Sequence, residues 1–421
     1  MFEGREGALD PFPHNCEQTP ALRPGSPREP RMRVLQIGKF YHPVKGGIET
    51  VVQEIAEGLQ ESGVEVNVLC FSEDATFSQE KIAGVEVTRV PHFGKLFSQP
   101  IAPTFPYWLK RLSQQTDLIH FHVPNPLAEA SATLLDDRIP MVVTYHADVV
   151  KQKILIPFYK PFLKSFLNKT SAIVTPTKKH ILNSDFISDR ESICKIIPFG
   201  IDESRLLSHT PEHSKRSAQI KTQYGRFILF VGRLVAYKGL SYLIDAMTHV
   251  SHSLPDLNLV IIGNGPLNES LKHQASTLKL PNQITFLEAI KTQEELNSFY
   301  DASECFVLPS TSRAEAFGMV LLEAMAFGKP LITTRIGTGV EEVNVENVTG
   351  LHVPPQDALS LANAIITLGM QPALREQMGQ AARNKFTTQH TRKPMIEKYL
   401  NLYEEILKDS AKNCSREGDK K

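Results

Sequence analysis

The feature that most constrains the fold of this chain is an alternation of short apolar segments with amphipathic ones, which runs through the sequence twice. From Met32 onward, β-branched segments such as RVLQIGKF alternate with segments that carry apolar residues at helical spacing, such as GIETVVQEIAEGLQESG. Strands separated by helices predict a mostly parallel sheet with helices on both faces. The alternation is interrupted at 203–224, which is polar and has no clear period, and it restarts at RFILFVGRL. The sequence therefore predicts an α/β protein with two doubly wound domains.

The length agrees with this division, because 421 residues are too many for one ordinary core and suit two domains of roughly 150–200 residues. The first thirty residues are polar and proline-rich and lack the apolar stretch of a signal peptide. We expect a disordered extension at 1–31, an N-terminal domain at 32–202, a linker at 203–224, a C-terminal domain at 225–391, a helix at 392–408 that can cross back to the first domain, and a disordered tail at 409–421.

Composition excludes several classes of function. Lys+Arg and Asp+Glu both number 46, and the resulting zero net charge argues against a nucleic-acid-binding protein. The five cysteines are scattered, without a CxxC pair or a His/Cys cluster, which indicates reduced thiols and no metal site. No segment approaches the roughly 18 consecutive apolar residues that a membrane span requires. These features favour a cytoplasmic protein.

Two doubly wound domains place a cleft between the carboxyl ends of two sheets, where such folds bind ligands. In KFYHPVKGGIET, Gly46 and Gly47 follow a strand and open a helix, which allows backbone N–H groups to approach an anion; a plain turn is the alternative. In FVGRLVAYKG, Arg233 and Lys238 follow a buried strand, and two fixed cations suit a diphosphate. Taken alone, Arg233 and Lys238 are more typical of charged residues that keep a protein surface soluble.

Histidines end two further strands. In VVTYHADVV, His146 can be a half-buried structural residue or, at a cleft, a hydrogen-bond donor to a substrate. The segment HFHVPNP carries His120 and His122, whose spacing does not indicate a metal site.

The segment SRAEAFGMVLLEAMAFGKP at 312–330 carries two carboxylates, Glu315 and Glu323. On one helix they would lie about 12 Å apart along the axis. That distance is too large for a retaining glycosidase, which needs about 5–5.5 Å, or an inverting one, which needs about 6.5–9.5 Å. If the helix begins near Gly318, the pair suits the two ends of one long ligand with phosphates between them, which is the layout of a sugar nucleotide. A solvated Glu323 on an amphipathic helix fits poorly, because LL and AMA flank it.

Five segments in register resemble the motifs of family-4 retaining glycosyltransferases, which have the GT-B fold of two Rossmann-like domains facing across a cleft: GGIE, TYHAD, FVGRLVAYKG, IIGNGP, and EAFGMVLLE followed by AMAFGKP. The resemblance runs from about Met32 to about Leu407. The segments GKFYHPVKGGIET and HVPNPL are most similar to bacterial mannosyl- and rhamnosyltransferases of surface-polysaccharide and lipopolysaccharide synthesis. The resemblance implies a hexosyltransferase that uses a nucleoside-diphosphate sugar such as GDP-mannose, with a glycan or polyprenyl-linked acceptor and no metal or other cofactor.

The resemblance also implies roles for individual residues. The catalytic residues would be His146, Arg233, Lys238 and Glu315. The donor would contact Gly46, Gly47, Arg233, Lys238, Ala289, Ile290, Glu315, Phe317, Gly318, Met319, Val320 and Glu323. Glu315 would bind the sugar and Glu323 the ribose, whereas Ala289, where the family more often has glycine, does not decide the base. No carboxylate is obviously placed as a nucleophile, so a covalent intermediate is not supported. The resemblance implies front-face retention, in which the leaving phosphate helps to deprotonate the acceptor.

Some alternatives stay open at this point. The donor can be a UDP-sugar of glucose or GlcNAc, and the same architecture supports a sugar-nucleotide epimerase, a phosphorylase-like enzyme, which would need a cofactor lysine, or a non-catalytic binding protein. The basic and aromatic segment KQKILIPFYKPFLKSFLNK at 151–169 can lie on an anionic membrane or can pack its apolar side on the first sheet.

Overall fold

The computed structural model of the protein describes residues 31–96, 99–148, 156–206, 210–278, 280, 283–288, 290 and 292–418. Some predictions made above fall outside these residues. They are the extension at 1–31, apart from Arg31, the beginning of the 151–169 segment, Ala289, and the end of the tail at 409–421.

The first half of the described chain builds an eight-stranded sheet and a small two-stranded hairpin. Its strands are β1 Arg33–Ile37, β2 Glu65–Phe71, β3 Ser78–Ile82, β4 Val85–Val90, β5 Lys95–Leu96, β6 Gln99–Pro100, β7 Leu118–Val123, β8 Met141–Tyr145, β9 Ala172–Thr175 and β10 Cys194–Ile196. Its helices are α1 Gly47–Glu61, α2 Phe105–Ser113, α3 Pro126–Ser131, α4 Ile156–Leu167, α5 Lys178–Leu182 and α6 Glu203–Leu206, with 3₁₀ segments at Ala132–Leu134 and Ser188–Ile193.

The second half builds a six-stranded sheet in the described residues. Its strands are β11 Arg226–Val231, β12 Leu257–Ile262, β13 Ile284–Leu287, β14 Phe306–Leu308, β15 Leu331–Thr334 and β16 Gly350–Val353. Its helices are α7 Pro211–Tyr224, α8 Leu240–Ser253, α9 Asn268–Thr277, α10 Gln293–Ala302, α11 Met319–Ala326, α12 Val340–Val343, α13 Ala358–Met370, α14 Pro372–Gln389 and α15 Arg392–Gly418, with a 3₁₀ segment at Ala236–Lys238.

Both sheets are doubly wound, as the alternating sequence predicted. The first has the order β10-β9-β8-β7-β1-β2-β4-β3, and its strands pair in parallel except for β3, which is antiparallel to β4. The second has the order β13-β12-β11-β14-β15-β16 and is parallel throughout. The strand order therefore reverses between β1 and β7 in the first sheet and between β11 and β14 in the second, and these two points mark where ligands bind in such folds.

The local sequence explains the elements that flank the cleft. Helix α1 buries Val51, Val52, Ile55 and Leu59 at helical spacing, and the chain leaves it through Gly63, whose φ of 93° favours glycine. Strand β7 is buried along its whole length, as expected for the centre of a sheet that is covered on both faces.

The prediction of an irregular linker at 203–224 is wrong for most of its described residues. Helix α7 begins after Thr210, whose Oγ1 accepts the N–H of His213 at 3.1 Å, and Pro211 is its first residue. The helix packs on α10 and buries Ser217 and Ile220. Because so little of it is apolar and buried, the segment shows no clear hydrophobic period.

Helix α15 was predicted to end at 408 but continues to Gly418, so a disordered tail is wrong for 409–418. The last turns, DSAKNCSREG, are polar and therefore carry no hydrophobic pattern. The helix packs on α1 and on the first sheet, where the Tyr399 hydroxyl lies 2.9 Å from Thr144 Oγ1 and the Tyr403 hydroxyl lies 2.6 Å from His120 Nδ1.

Helix α4 covers the described part of the segment that was expected to lie either on a membrane or on the first sheet. Its apolar side chains Leu163, Phe166 and Leu167 are buried, and the Phe166 ring lies 5.2 Å from that of Phe121. The ammonium of Lys164 pairs with Asp189 at 2.7 Å. These contacts favour packing on the sheet for the described residues of this segment.

Candidate active site

The reversal point of the second sheet carries an ion pair between two of the predicted catalytic residues. The loop after β11 supplies Lys238, and the loop after β14 supplies Glu315. Lys238 Nζ lies 2.5 Å from Glu315 Oε2, and both side chains are about nine-tenths buried. Two loops that are far apart in the sequence thus meet because β11 and β14 are neighbours in the sheet.

Several contacts hold this pair in place. The Ser310 hydroxyl donates to Glu315 Oε2 at 3.1 Å, and the Thr338 hydroxyl donates to the Glu315 carbonyl at 2.8 Å. Gly239, which follows Lys238, has a φ of 71°, and a Cβ there would collide with the Pro309 carbonyl oxygen. Close packing of the two loops therefore requires glycine at this position.

The second carboxylate, Glu323, lies inside α11, whereas Glu315 lies in the loop before it. The helix starts at Met319, and its N-cap Gly318 has the left-handed φ of 78°. The Tyr300 hydroxyl donates to Glu323 Oε2 at 2.7 Å. Burial raises the pKa of Glu323 to about 6, against the opposing effects of the Tyr300 hydrogen bond and the charge of Lys45.

Gly46 and Gly47 stand opposite α11 across the cleft. Helix α1 begins at Gly47, and a Cβ on that residue would lie 3.8 Å from Met319 Cγ, the first residue of α11. The N-termini of the two helices therefore approach each other. Each carries a partial positive charge and backbone N–H groups without a partner inside the helix, so this gap suits an anion such as a diphosphate.

Glu49 belongs to the same region and was not among the predicted residues. Its carboxylate lies over Gly46, where a Cβ would collide with Glu49 Oε2. Burial raises the pKa of Glu49, and the charges of Lys39 and Arg233 lower it. The exposed Arg233 of the second half is therefore close enough to act on a carboxylate of the first half.

His146 lies at the carboxyl end of β8 and is buried. Its Nε2 is 3.0 Å from His122 Nδ1, and burial holds its pKa well below the usual value for histidine. Its ring lies 5.4 Å from the Phe199 ring, which in turn is 5.0 Å from that of Phe317. His146 is thus connected by packed rings to the residue that precedes Gly318.

The structure describes two of the remaining predicted donor contacts, and a third lies outside the described residues. Val320 and Ile290 are half-buried and pack against the core. The Glu288 carboxylate accepts from Asn268 Nδ2 at 2.7 Å and pairs with Lys272 at 2.6 Å. Ala289 lies outside the described residues.

Polar contacts also join the two halves at one side of the cleft. Lys179 at the start of α5 pairs with Glu341 of α12 at 2.6 Å, and its backbone N–H donates to Glu342 Oε1 at 2.7 Å. Asn183 Nδ2 donates to the Gly337 carbonyl at 2.9 Å. These residues fix the separation of the two sheets at this point.

Sequence reasoning missed Glu49, Ser310, Thr338 and Tyr300 as residues of the site. Glu49 could have been predicted from the sequence, because it lies in the first turn of the helix that Gly46 and Gly47 open, next to the proposed anion site. The other three are a Ser, a Thr and a Tyr in ordinary contexts, and the sheet order alone brings them to the glutamates. Among the residues that the structure describes, no group of three or more His, Cys, Asp or Glu side chains could hold a metal ion, and no helix is long and apolar enough to cross a membrane.

Known proteins match this chain over most of the residues that follow Met32. Residues 45–205 match the family model described as Glycosyltransferase Family 4, and residues 212–385 match Glycosyl transferases group 1. The O-antigen chain mannosyltransferase C of Escherichia coli is 32% identical over 386 residues, covering 90% of this chain and 100% of that protein. The D-rhamnosyltransferase WbpZ of Pseudomonas aeruginosa is 31% identical over 357 residues, covering 84% and 91%.

Among solved structures, a sucrose-phosphate synthase from Thermosynechococcus elongatus superposes with a TM-score of 0.75 at 21% identity, covering 90% of this chain and 100% of that one. A likeness at this identity shows the fold. The resemblance that the motifs indicated is confirmed, as are the GT-B fold and the enzyme class. The chain belongs to glycosyltransferase family 4 and is a hexosyltransferase with the GT-B fold.

Proposed function

We propose that the enzyme transfers mannose or rhamnose from a nucleoside-diphosphate sugar to a glycan or polyprenyl-linked acceptor in surface-polysaccharide synthesis, with retention of anomeric configuration. This proposal rests mainly on the ion pair between Lys238 and Glu315, which lies beside the N-terminus of α11 and opposite Gly47 of the first half. The names of the two bacterial relatives, a mannosyl- and a rhamnosyltransferase, support the sugar.

The donor would lie along the line of these groups. Its diphosphate would occupy the gap between the α1 and α11 N-termini, near Arg233 and Lys238, its sugar would contact Glu315, and its ribose would contact Glu323. This order follows the positions of the two glutamates on either side of the start of α11. Because Lys238 and Glu315 pair with each other, donor binding would exchange this ion pair for contacts of each residue with the ligand.

In the reaction, the bond from the anomeric carbon to the leaving phosphate oxygen breaks, and the acceptor oxygen bonds to the same face of the sugar. The acceptor oxygen is itself the nucleophile, and its proton passes to the leaving phosphate, so that no carboxylate of the protein is needed as a nucleophile or as a base. The charge that develops on the diphosphate is stabilised by Arg233, Lys238 and the helix N-termini. The proposal therefore includes no metal ion and no other cofactor.

A membrane-facing surface fits the acceptor side of this proposal, at different residues from the 151–169 segment. Phe93 is 82% exposed, and Leu96 and Tyr107 are each 58% exposed. In the sequence, residues 91–116 include Lys95, Lys110 and Arg111 and no Asp or Glu. Exposed apolar side chains in a segment with basic residues and no acidic ones suit an anionic lipid surface.

This surface borders the cleft. Lys95 Nζ lies 4.8 Å from the centre of the Phe40 ring, which follows β1, and Gln99 Nε2 donates to Asn125 Oδ1 at 3.3 Å, just after β7. These are the two strands between which the order of the first sheet reverses. A polyprenyl-linked acceptor held at this surface would present its head group to the cleft.

The donor is tested by thermal stabilisation of the purified protein with GDP, UDP, GDP-mannose, UDP-glucose and UDP-GlcNAc. A ligand at 100 times its dissociation constant should add about 2.7 kcal/mol. Stabilisation by GDP and GDP-mannose alone supports the proposal, and a response to UDP compounds alone overturns the donor. Release of free nucleoside diphosphate only when acceptor is present excludes an epimerase.

The membrane surface is tested by sedimentation with anionic and with zwitterionic vesicles. We expect the wild type to sediment with anionic vesicles and the double variant Phe93→Ser, Leu96→Ser to lose this binding. The control is Leu359→Ser, Met370→Ser, which removes two exposed apolar side chains of α13 in the second half, at 56% and 55%. Equal binding by both double variants would reject this surface.

A further inference from the structure

A chain of hydrogen bonds connects the interior of the first sheet to His146. Gln36 on β1 has its Oε1 3.1 Å from His122 Nε2, and His122 Nδ1 is 3.0 Å from His146 Nε2. The three side chains are buried, and the imidazoles of His122 and His146 are stacked with their centres 5.2 Å apart. Neither Gln36 nor His122 belongs to the proposed donor contacts.

The imidazoles in this chain are neutral. Burial holds the pKa of His122 and of His146 well below the usual histidine value, and the charge of a neighbouring histidine lowers each pKa further. A neutral imidazole has one protonated nitrogen, which donates, and one unprotonated nitrogen, which accepts. The chemistry that His146 offers to a ligand therefore depends on which of its nitrogens carries the proton.

The hydrogen-bond chain sets this tautomer. The Gln36 carbonyl oxygen can only accept, so His122 Nε2 carries the proton and His122 Nδ1 is unprotonated. His146 Nε2 must then donate to His122 Nδ1, which leaves His146 Nδ1 unprotonated. The Gln36 amide nitrogen has no hydrogen-bond partner among the described residues. The tautomer follows from the amide oxygen facing His122, so the experiment must read the protonated nitrogen of His146 directly.

We propose that Gln36 and His122 are positioning residues that fix His146 in the tautomer with an unprotonated Nδ1, so that His146 accepts a hydrogen bond from a substrate hydroxyl. This inference rests on the proposed function, since a sugar donor or a sugar acceptor supplies such a hydroxyl. It reverses the expectation from the sequence, which was that His146 donates.

His120 offers a matched control for this chain. It is equally buried and stacks on His122 at 4.5 Å, but its two ring nitrogens contact Thr144 Oγ1 at 2.7 Å and the Tyr403 hydroxyl at 2.6 Å. A change of His120 therefore disturbs the same core, and the docking of α15, without touching the bonds that orient His146.

The tautomer is read directly by nitrogen NMR of ligand-free protein labelled with ¹⁵N-histidine, because protonated and unprotonated ring nitrogens of a neutral imidazole have well-separated shifts. The His146 signals are assigned by their loss in His146→Gln. We expect a protonated Nε2 and an unprotonated Nδ1 in the wild type and in His120→Asn. A protonated Nδ1 in the wild type would overturn the proposal.

Kinetics test the consequence for the reaction. His122→Leu removes the acceptor for His146, whereas His122→Asn keeps an acceptor oxygen near the same place. We expect His122→Leu to lower kcat about tenfold, the effect of one buried neutral hydrogen bond, with an unchanged Kd for the nucleoside diphosphate, and His122→Asn to recover most of the loss. Equal losses in the two variants, or an equal loss in His120→Asn, would reject the positioning role.

The two proposals fail separately. If the wild type turns over no sugar nucleotide, the proposed function fails, while the NMR measurement still decides the tautomer in the ligand-free protein. If the wild type is active but His146 Nδ1 is protonated, the inference fails and the proposed function stands.

Discussion

The ion pair between Lys238 and Glu315 leads to a prediction about stability as well as turnover. The two charged groups are 2.5 Å apart, and both side chains are about nine-tenths buried. Removing one partner from a buried pair typically costs about 3–5 kcal/mol, because the other charge is left uncompensated. We expect the lower end, about 3 kcal/mol, for Lys238→Met, since the Ser310 hydroxyl still donates to Glu315 Oε2.

The double variant separates the two effects. Lys238→Met together with Glu315→Gln removes both charges and keeps similar side-chain volumes, so it should be more stable than the sum of the single losses implies. A coupling free energy of about 2 kcal/mol is expected. Losses that add within about 0.5 kcal/mol would show that the two charges do not compensate each other in the ligand-free protein.

The assay is urea unfolding followed by circular dichroism and, in parallel, by tryptophan fluorescence. The chain has one tryptophan, Trp108 in α2 of the first half, so its fluorescence reports unfolding of that half separately. Turnover of each variant is measured on the same preparations. Lys238→Met should lower kcat by about 10²–10³-fold, as removal of a preorganised charge-stabilising donor does. Turnover close to that of the wild type would exclude Lys238 from stabilising the leaving group.

Three further predictions concern Glu323, Glu49 and Arg392. The pKa of Glu323 is raised from 4.5 to about 6 in the folded protein, so the stability that its protonated form contributes is present below pH 4.5 and is lost as the pH rises through 6. In urea unfolding, Glu323→Gln should therefore stabilise the ligand-free protein at pH 7 and have no effect at pH 4. Glu49→Gln removes a negative charge from the start of α1 and should tighten nucleoside-diphosphate binding by about fivefold in calorimetry, whereas Glu65→Gln, on the exposed start of β2, should not. Arg392 pairs with Glu54 at 2.6 Å and with Asp202 at 3.2 Å, so Arg392→Met should lower the free energy of unfolding by about 3 kcal/mol. The control is Lys408→Met, which breaks the exposed pair with Glu404, and an equal loss in the two variants would contradict the prediction.

The alternation of apolar and amphipathic segments was sufficient to predict two doubly wound, mostly parallel sheets. Residues 312–330 show how far local pattern reaches. The sequence left open whether one helix carries both glutamates or begins near Gly318, with Glu315 before it, and α11 begins at Met319. Helix α7 shows where the pattern fails, because a helix that buries mainly Ser217 and Ile220 has almost no apolar periodicity to detect.

The partners of the site residues could not be predicted in this way. Lys238 meets Glu315 because β11 lies beside β14, and His146 is oriented by Gln36 because β7 lies between β8 and β1. Likewise, Gly47 faces Met319 only because two separate sheets turn their carboxyl ends toward one cleft.

The sequence by itself therefore determined the fold class and the family, and it predicted a set of site residues, because periodicity and motifs are local properties of the chain. Only the tertiary structure decided which charges compensate each other, which nitrogen of His146 is free for a ligand, and which apolar side chains are left exposed at the cleft. Those properties depend on strand order and on the packing of segments far apart in the chain, and hydrophobic periodicity reports only which face of each element is buried.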